Sequence, residues 1–124
     1  MASTLGTVAS PLGQFLITHS TVTSSISIEN NVTGTAPTVY NIVIKNNSSS
    51  AAYLKIAETA SVANADAANP DFKFYSPANA TVSYVIGAGV PVATALTFWI
   101  TSTQANATTQ GIPADTITVR IVAN

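Results

Sequence analysis

Thr81 to Thr103, TVSYVIGAGVPVATALTFWITST, constrains the fold more than any other stretch of this chain. It holds two alternating runs. In the first, Val82, Tyr84 and Ile86 share one face and Thr81, Ser83 and Val85 the other. In the second, Leu96, Phe98 and Ile100 oppose Ala95, Thr97, Trp99 and Thr101. Period-two alternation of β-branched and aromatic residues reads as strand, and the break at Gly87, Gly89 and Pro91 predicts a β-hairpin with one buried face. Burying the inward residues yields roughly 1.5–3 kcal/mol each. Ordering the backbone costs about 1–2 kcal/mol per residue over the whole stretch. The second sum exceeds the first, so these strands need another sheet to lie against.

The rest of the chain supplies candidates for it. Gln14 to His19 and Ile26 to Glu29 read as short strands separated by hydroxyl-rich sequence. Thr38 to Asn46 is a strong strand, with Tyr40, Ile42 and Ile44 on one face and Val39, Val43 and Lys45 on the other. Ala52 to Glu58 alternates Leu54 and Ile56 against Tyr53 and Lys55, and Asp71 to Tyr75 turns Phe72 and Phe74 inward. Asp115 to Ala123 closes the chain with Ile117, Val119 and Ile121 on one face. Ala60 to Pro70 is rich in alanine, but its small side chains bury little, which predicts one helical turn or an irregular loop. Ser102 to Pro113 is a long polar connection.

These elements predict an all-β chain, a two-sheet antiparallel sandwich of about eight strands. A jelly roll is the expected topology and an immunoglobulin-like sandwich the alternative. Residues 13–124 form the expected single domain, preceded by residues 1–12 as an N-terminal arm held by a neighbouring chain.

Charge narrows the function classes. Only 7% of the residues are charged and the net charge is −1, although 47% are hydrophobic. Nothing here draws in nucleic acid or an anionic membrane over distance. Hydroxyls and amides must keep the chain in solution, a surface poorly protected against association. The chain has no cysteine, hence no disulfide or thiolate metal site. No apolar run approaches a membrane span, and the N-terminus lacks the basic region of a signal peptide.

Chemistry-bearing residues are few. His19 is the only histidine, and Glu29, Glu58, Asp66, Asp71 and Asp115 are scattered without metal-ligand spacing. Serine is so common that a Ser/His/Asp trio carries no information, and no G-x-S-x-G elbow is present. Gly87-Ala88-Gly89 lacks the third glycine and the following helix of a phosphate cradle. The expectation is therefore no catalytic residue, no cofactor and no metal. Trp99 stands out because it alternates onto a face of Ala and Thr. It reads as a subunit-interface anchor, a sugar-stacking platform or a residue covered by a loop of its own chain. Tyr53 and Tyr75 share that ambiguity. Trp99, Tyr53 and Tyr75, with Ser3, Thr4 and Leu5 of the arm, are the candidate interface residues.

The segments Ala52-Tyr53-Leu54-Lys55-Ile56, Thr81-Val82-Ser83-Tyr84-Val85 and Thr94 to Thr101 resemble small all-β proteins encoded among the structural genes of tailed bacteriophages. There a "YLK" strand precedes a "TVSY" strand, a glycine turn and an "ALTF" strand. The resemblance spans Ala52 to the C-terminus. It implies a virion protein, a capsid decoration or cement subunit that is homotrimeric and sits on the capsid exterior against the major capsid protein. No catalytic residue comes with it. A glycan-binding module of a fibre or host-attachment protein, and a tail or neck component, are the alternative expectations.

Overall fold

A computed structural model describes residues 15–124. The expected arm, residues 1–12, with Ser3, Thr4 and Leu5, lies outside them. Seven strands form: β1 (Phe15–Ser20), β2 (Thr38–Asn46), β3 (Ala52–Ala57), β4 (Phe72–Ser76), β5 (Ala80–Pro91), β6 (Thr97–Thr101) and β7 (Ile117–Ala123). They make an antiparallel sheet of order β1-β7-β2-β5 and another of order β4-β3-β6. Between the sheets lies the core, in which Ile42, Ile44, Leu54, Ile56, Leu96, Phe98, Ile100, Ile117, Val119 and Ile121 are fully buried. The inward faces of β3, β6 and β7 are those the alternation predicts.

The expected strand Ile26–Glu29 contracts to a single antiparallel pairing of Glu29 with Phe98. Glu29 and Phe98 exchange both backbone hydrogen bonds, at 2.9 and 3.0 Å, and the Val32 N–H donates to Leu96 O at 3.0 Å. The serines before this segment and the left-handed Asn31 after it (φ 47) leave it no room to lengthen. With this segment counted as the second of eight strands, first pairs with eighth, second with seventh, third with sixth and fourth with fifth. That is a long antiparallel hairpin rolled into two sheets, the jelly-roll topology.

The expected hairpin over Thr81–Thr103 does not form. β5 pairs with β2, and β6 with β3 and Glu29, so the two runs lie in opposite sheets. The chain crosses between them at 92–96, where Thr94 takes a left-handed φ of 62°. Gly87 and Gly89 lie inside β5. At Gly89 (φ 78), a Cβ would stand 2.8 Å from Tyr40 Cε1 and closer still to the Thr38 methyl. The glycine thus admits the side chains of β2 and does not reverse the chain. A bulge between Val39 and Asn41 faces it. The odd residue of that bulge carries Val39 into the core with Ile42 and Ile44, where unbroken alternation had placed Tyr40.

Ala60 to Pro70 contains one 3₁₀ turn, Ala65–Ala67, capped by Asn64 Oδ1 accepting from Asp66 N–H. No helix among the described residues is long and apolar enough to cross a membrane.

Candidate functional site

The two sheets present very different outer faces. On the three-stranded sheet, register places Lys73, Lys55 and Trp99 in one row and Tyr75, Tyr53 and Thr101 in the next. The chain's own connections cover most of this face. Trp99 is 1% exposed and packs against Ala57, Ala65, Ile26, Ile28, Val62 and Ala68. The interface anchor and sugar platform expected at Trp99 are therefore not available, because an enclosed indole touches neither a second subunit nor a ring ligand. Of its three readings, coverage by its own chain is the one observed. The small side chains around it, alanines above all, make the space the indole fills.

Lys55 is the larger surprise. It alternates away from the core, as expected, yet is only 1% exposed. Its Nζ donates to Ala105 O and to Gln110 Oε1, both at 2.6 Å. Gln110 Nε2 donates in turn to Ala105 O and Thr108 O, and its backbone N–H to Asp66 Oδ1 at 2.9 Å. Lys73 Nζ donates to Gln104 O at 2.8 Å. Two lysines and one glutamine thus pin residues 102–113 across the sheet. Burial, with a smaller contribution from the neighbouring Lys73 charge, lowers the Lys55 pKa from 10.5 to about 8. Among the described residues no carboxylate pairs with the ammonium.

Tyr53 and Tyr75 remain adjacent at the uncovered end of this face, their ring centroids 5.7 Å apart and inclined at 49°. Tyr75 is 49% exposed and Tyr53 half-buried. The tilt gives them an edge in place of a flat platform, and Trp99 does not join them.

His19 sits at the rim of the core, edge-on to Phe98 with centroids 5.5 Å apart. Its Nδ1 lies 3.3 Å from Glu29 Oε1, and Ser27 Oγ donates to the same oxygen at 3.0 Å. In a hydrolytic triad the imidazole stands between hydroxyl and carboxylate. Here the carboxylate is in the middle, so the trio ties β1 to the Glu29 segment and activates no nucleophile. Among the described residues no three metal-ligating side chains come together.

No described residue covers the outer face of the four-stranded sheet. Its rows, read across β1, β7, β2 and β5, are Leu16–Val122–Asn41–Val85, Thr18–Arg120–Val43–Ser83 and Ser20–Thr118–Lys45–Thr81. Leu16 is 67% exposed and Val85 77%. Lys45 and Arg120 are its only charges, and neither forms an ion pair with a described residue. They flank a shallow depression of about 330 Å³ lined also by Val43, Thr81 and Thr118. None of these residues was singled out as a site in the sequence. The available signal was Val85, a large apolar side chain alternating onto a face of Thr and Ser.

No protein-family model matches this chain, and neither a curated protein nor a solved structure does.

Proposed function

We propose that this chain is a structural subunit of a virus particle, a head decoration or cement protein that docks on the capsid exterior and bridges major capsid subunits. The observation that carries this reading is the outer face of the four-stranded sheet, which no described residue covers. Leu16 and Val85 stand exposed at the two ends of one row, with Val122 half-buried between them. Exposed apolar surface arranged on one face marks an interaction site. The reading as a phage head protein comes from the strand motifs around Tyr53, Thr81 and Leu96. The proposed mechanism is mechanical. A rigid sandwich sits across a seam in the shell, and contacts repeated by symmetry resist pressure from within. Apolar and neutral polar contacts suit the task because salt screens them little.

The test adds purified protein to capsids prepared without it and measures cosedimentation and cryo-EM density. Wild type binds in a saturable ratio to the major capsid protein. Leu16→Asp, which replaces an apolar contact worth roughly 1.5–3 kcal/mol by a charge, weakens binding tenfold or more while the fold stays intact. Absence of binding by wild type, or of matching density on virions, overturns the proposal.

A further inference from the structure

We propose that β5 pairs with β5 of a second copy of this chain, antiparallel about a two-fold axis at Val85, so that two four-stranded sheets become one of eight strands. The backbone directions that permit this follow from the register. The Asn47 N–H donates to Thr116 O, toward β7. Alternation along β2 then turns Asn41, Val43 and Lys45 toward β7 and Ile42, Ile44 and Asn46 toward β5. Their partners Tyr84, Val82 and Ala80 face β2. Thr81, Ser83 and Val85 therefore direct both N–H and C=O away from the sheet, and no described residue hydrogen-bonds to them.

Such an edge invites pairing with another strand, and proteins that stay monomeric guard theirs with lysine, proline, covering loops or shortness. Between Ala80 and Val85, where its pairing with β2 is regular, β5 has none of this; the irregularity of β5 opposite Tyr40 lies beyond, at 86–89. The strand runs 12 residues, the longest of the sandwich, and its one proline is the last. No charged residue occurs between Lys73 and Asp115. The edge of the other sheet, β4, is five residues long and carries Lys73. Thr81, Ser83 and Val85 are all exposed.

A second copy fits this edge for two reasons. An uncharged strand meets its own image without repulsion. Val85, the most exposed large apolar side chain described, also lies at the midpoint of β5. A two-fold axis there sets Val85 opposite its symmetry mate and Ser83 opposite Gly87, and the left-handed Gly89 (φ 78) ends the regular pairing beyond. Directly opposed side chains share a face, so the two valines bury each other on the outer surface. The resulting symmetry is two-fold, where the phage resemblance implies a trimer. The pairing does not depend on the capsid reading; it takes up Val85 at one end of the exposed row and leaves Leu16, at the other end, for capsid docking.

The test is the solution mass of the full chain by sedimentation velocity. Wild type sediments as a dimer. Val85→Lys and Val85→Glu, each alone, are monomers with unchanged circular dichroism, because like charges then oppose each other across the axis. Mixing the two in equal amounts restores a dimer. If either variant fails to fold, Ser83→Lys is read in its place and gives a monomer. A monomeric wild type, a dimer that survives Val85→Lys, or variants that stay apart on mixing overturn the pairing. So does loss of the dimer on removing residues 2–12, which would make that segment the occupant of the edge. Leu16→Asp separates the two proposals, since it weakens capsid binding and leaves the dimer mass unchanged.

Discussion

Lys55 makes the stability of this sandwich depend on pH in the direction opposite to a lysine whose pKa an ion pair raises. Its folded pKa is about 8 against 10.5 in the unfolded chain. Below pH 8 both states carry the charge, and folding bears the full cost of burying it. Above 10.5 neither does, and that cost is gone. In between, the unfolded chain holds the extra proton, so stability rises with pH across this window. Each pKa unit corresponds to about 1.4 kcal/mol, which sets a ceiling of about 3 kcal/mol. The Lys55–Ala105 contact is only part-buried, so solvent screening reduces the expected gain to on the order of 1–2 kcal/mol. Urea unfolding followed by the fluorescence of Trp99, the chain's only tryptophan, measures it from pH 7 to 10.5. Lys55→Met supplies the control, because every other titrating group is shared. The wild-type midpoint moves to higher urea relative to Lys55→Met as pH rises through 8. Parallel curves for the two proteins would refute the reasoning, as would a wild type that weakens relative to the variant.

Substitutions at Trp99 and at the two glycines of β5 probe the features that the sequence did not disclose. Trp99→Ala empties the space under the 3₁₀ turn and costs about 3–5 kcal/mol by urea unfolding, followed in this variant by circular dichroism. Trp99→Phe costs much less, because the buried Trp99 Nε1–H has no partner and its removal offsets part of the lost packing. Gly89→Ala forces a left-handed alanine against Tyr40 and Thr38 and destabilises by about 2 kcal/mol or more, whereas Gly87→Ala, with open space around it, changes stability by under about 1 kcal/mol.

How much of this was legible depends on the range of the interaction. Ile42 and Ile44 or Ile117, Val119 and Ile121 mark strands because alternation is local, and their inward faces follow directly. Which sheet a strand joins is not local. Glycines that end a strand and glycines that let a neighbouring side chain approach look alike, so Gly87 and Gly89 read as a turn when they lie within β5. Tyr40 changes place with Val39 through a bulge whose cause, the close approach at Gly89, lies about fifty residues away. Lys55 reads as a solvated lysine on an outward face. Its burial depends on Ala105 and Gln110 returning over β3, and nothing within β3 announces that. Trp99 was legible in half: a large ring on a face of Ala and Thr stood out, but which of its three readings held depended on connections far from β6.

The difference between the two outer faces follows from the lengths of the connections. Residues 21–37, 58–71 and 102–116 are the long ones. The first supplies Ile26 and Ile28 to the Trp99 cluster and Glu29 to β6, the second the 3₁₀ turn, and the third the carbonyls that hold Lys55 and Lys73. All three converge on the three-stranded side. The connections at 47–51, 77–79 and 92–96 are too short to reach across a sheet, so no described connection covers the four-stranded face. The same division sorts the four basic side chains. Lys55 and Lys73 spend their donors on carbonyls of their own chain, while Lys45 and Arg120 keep theirs for whatever meets the four-stranded face. A chain of net charge −1 is therefore weakly cationic on the face where docking is proposed, with its acids Glu58, Asp66 and Asp71 engaged in backbone hydrogen bonds elsewhere. A neutral or mildly acidic partner surface matches it. A strongly basic one would meet two uncompensated like charges in the middle of an otherwise apolar and hydroxyl contact.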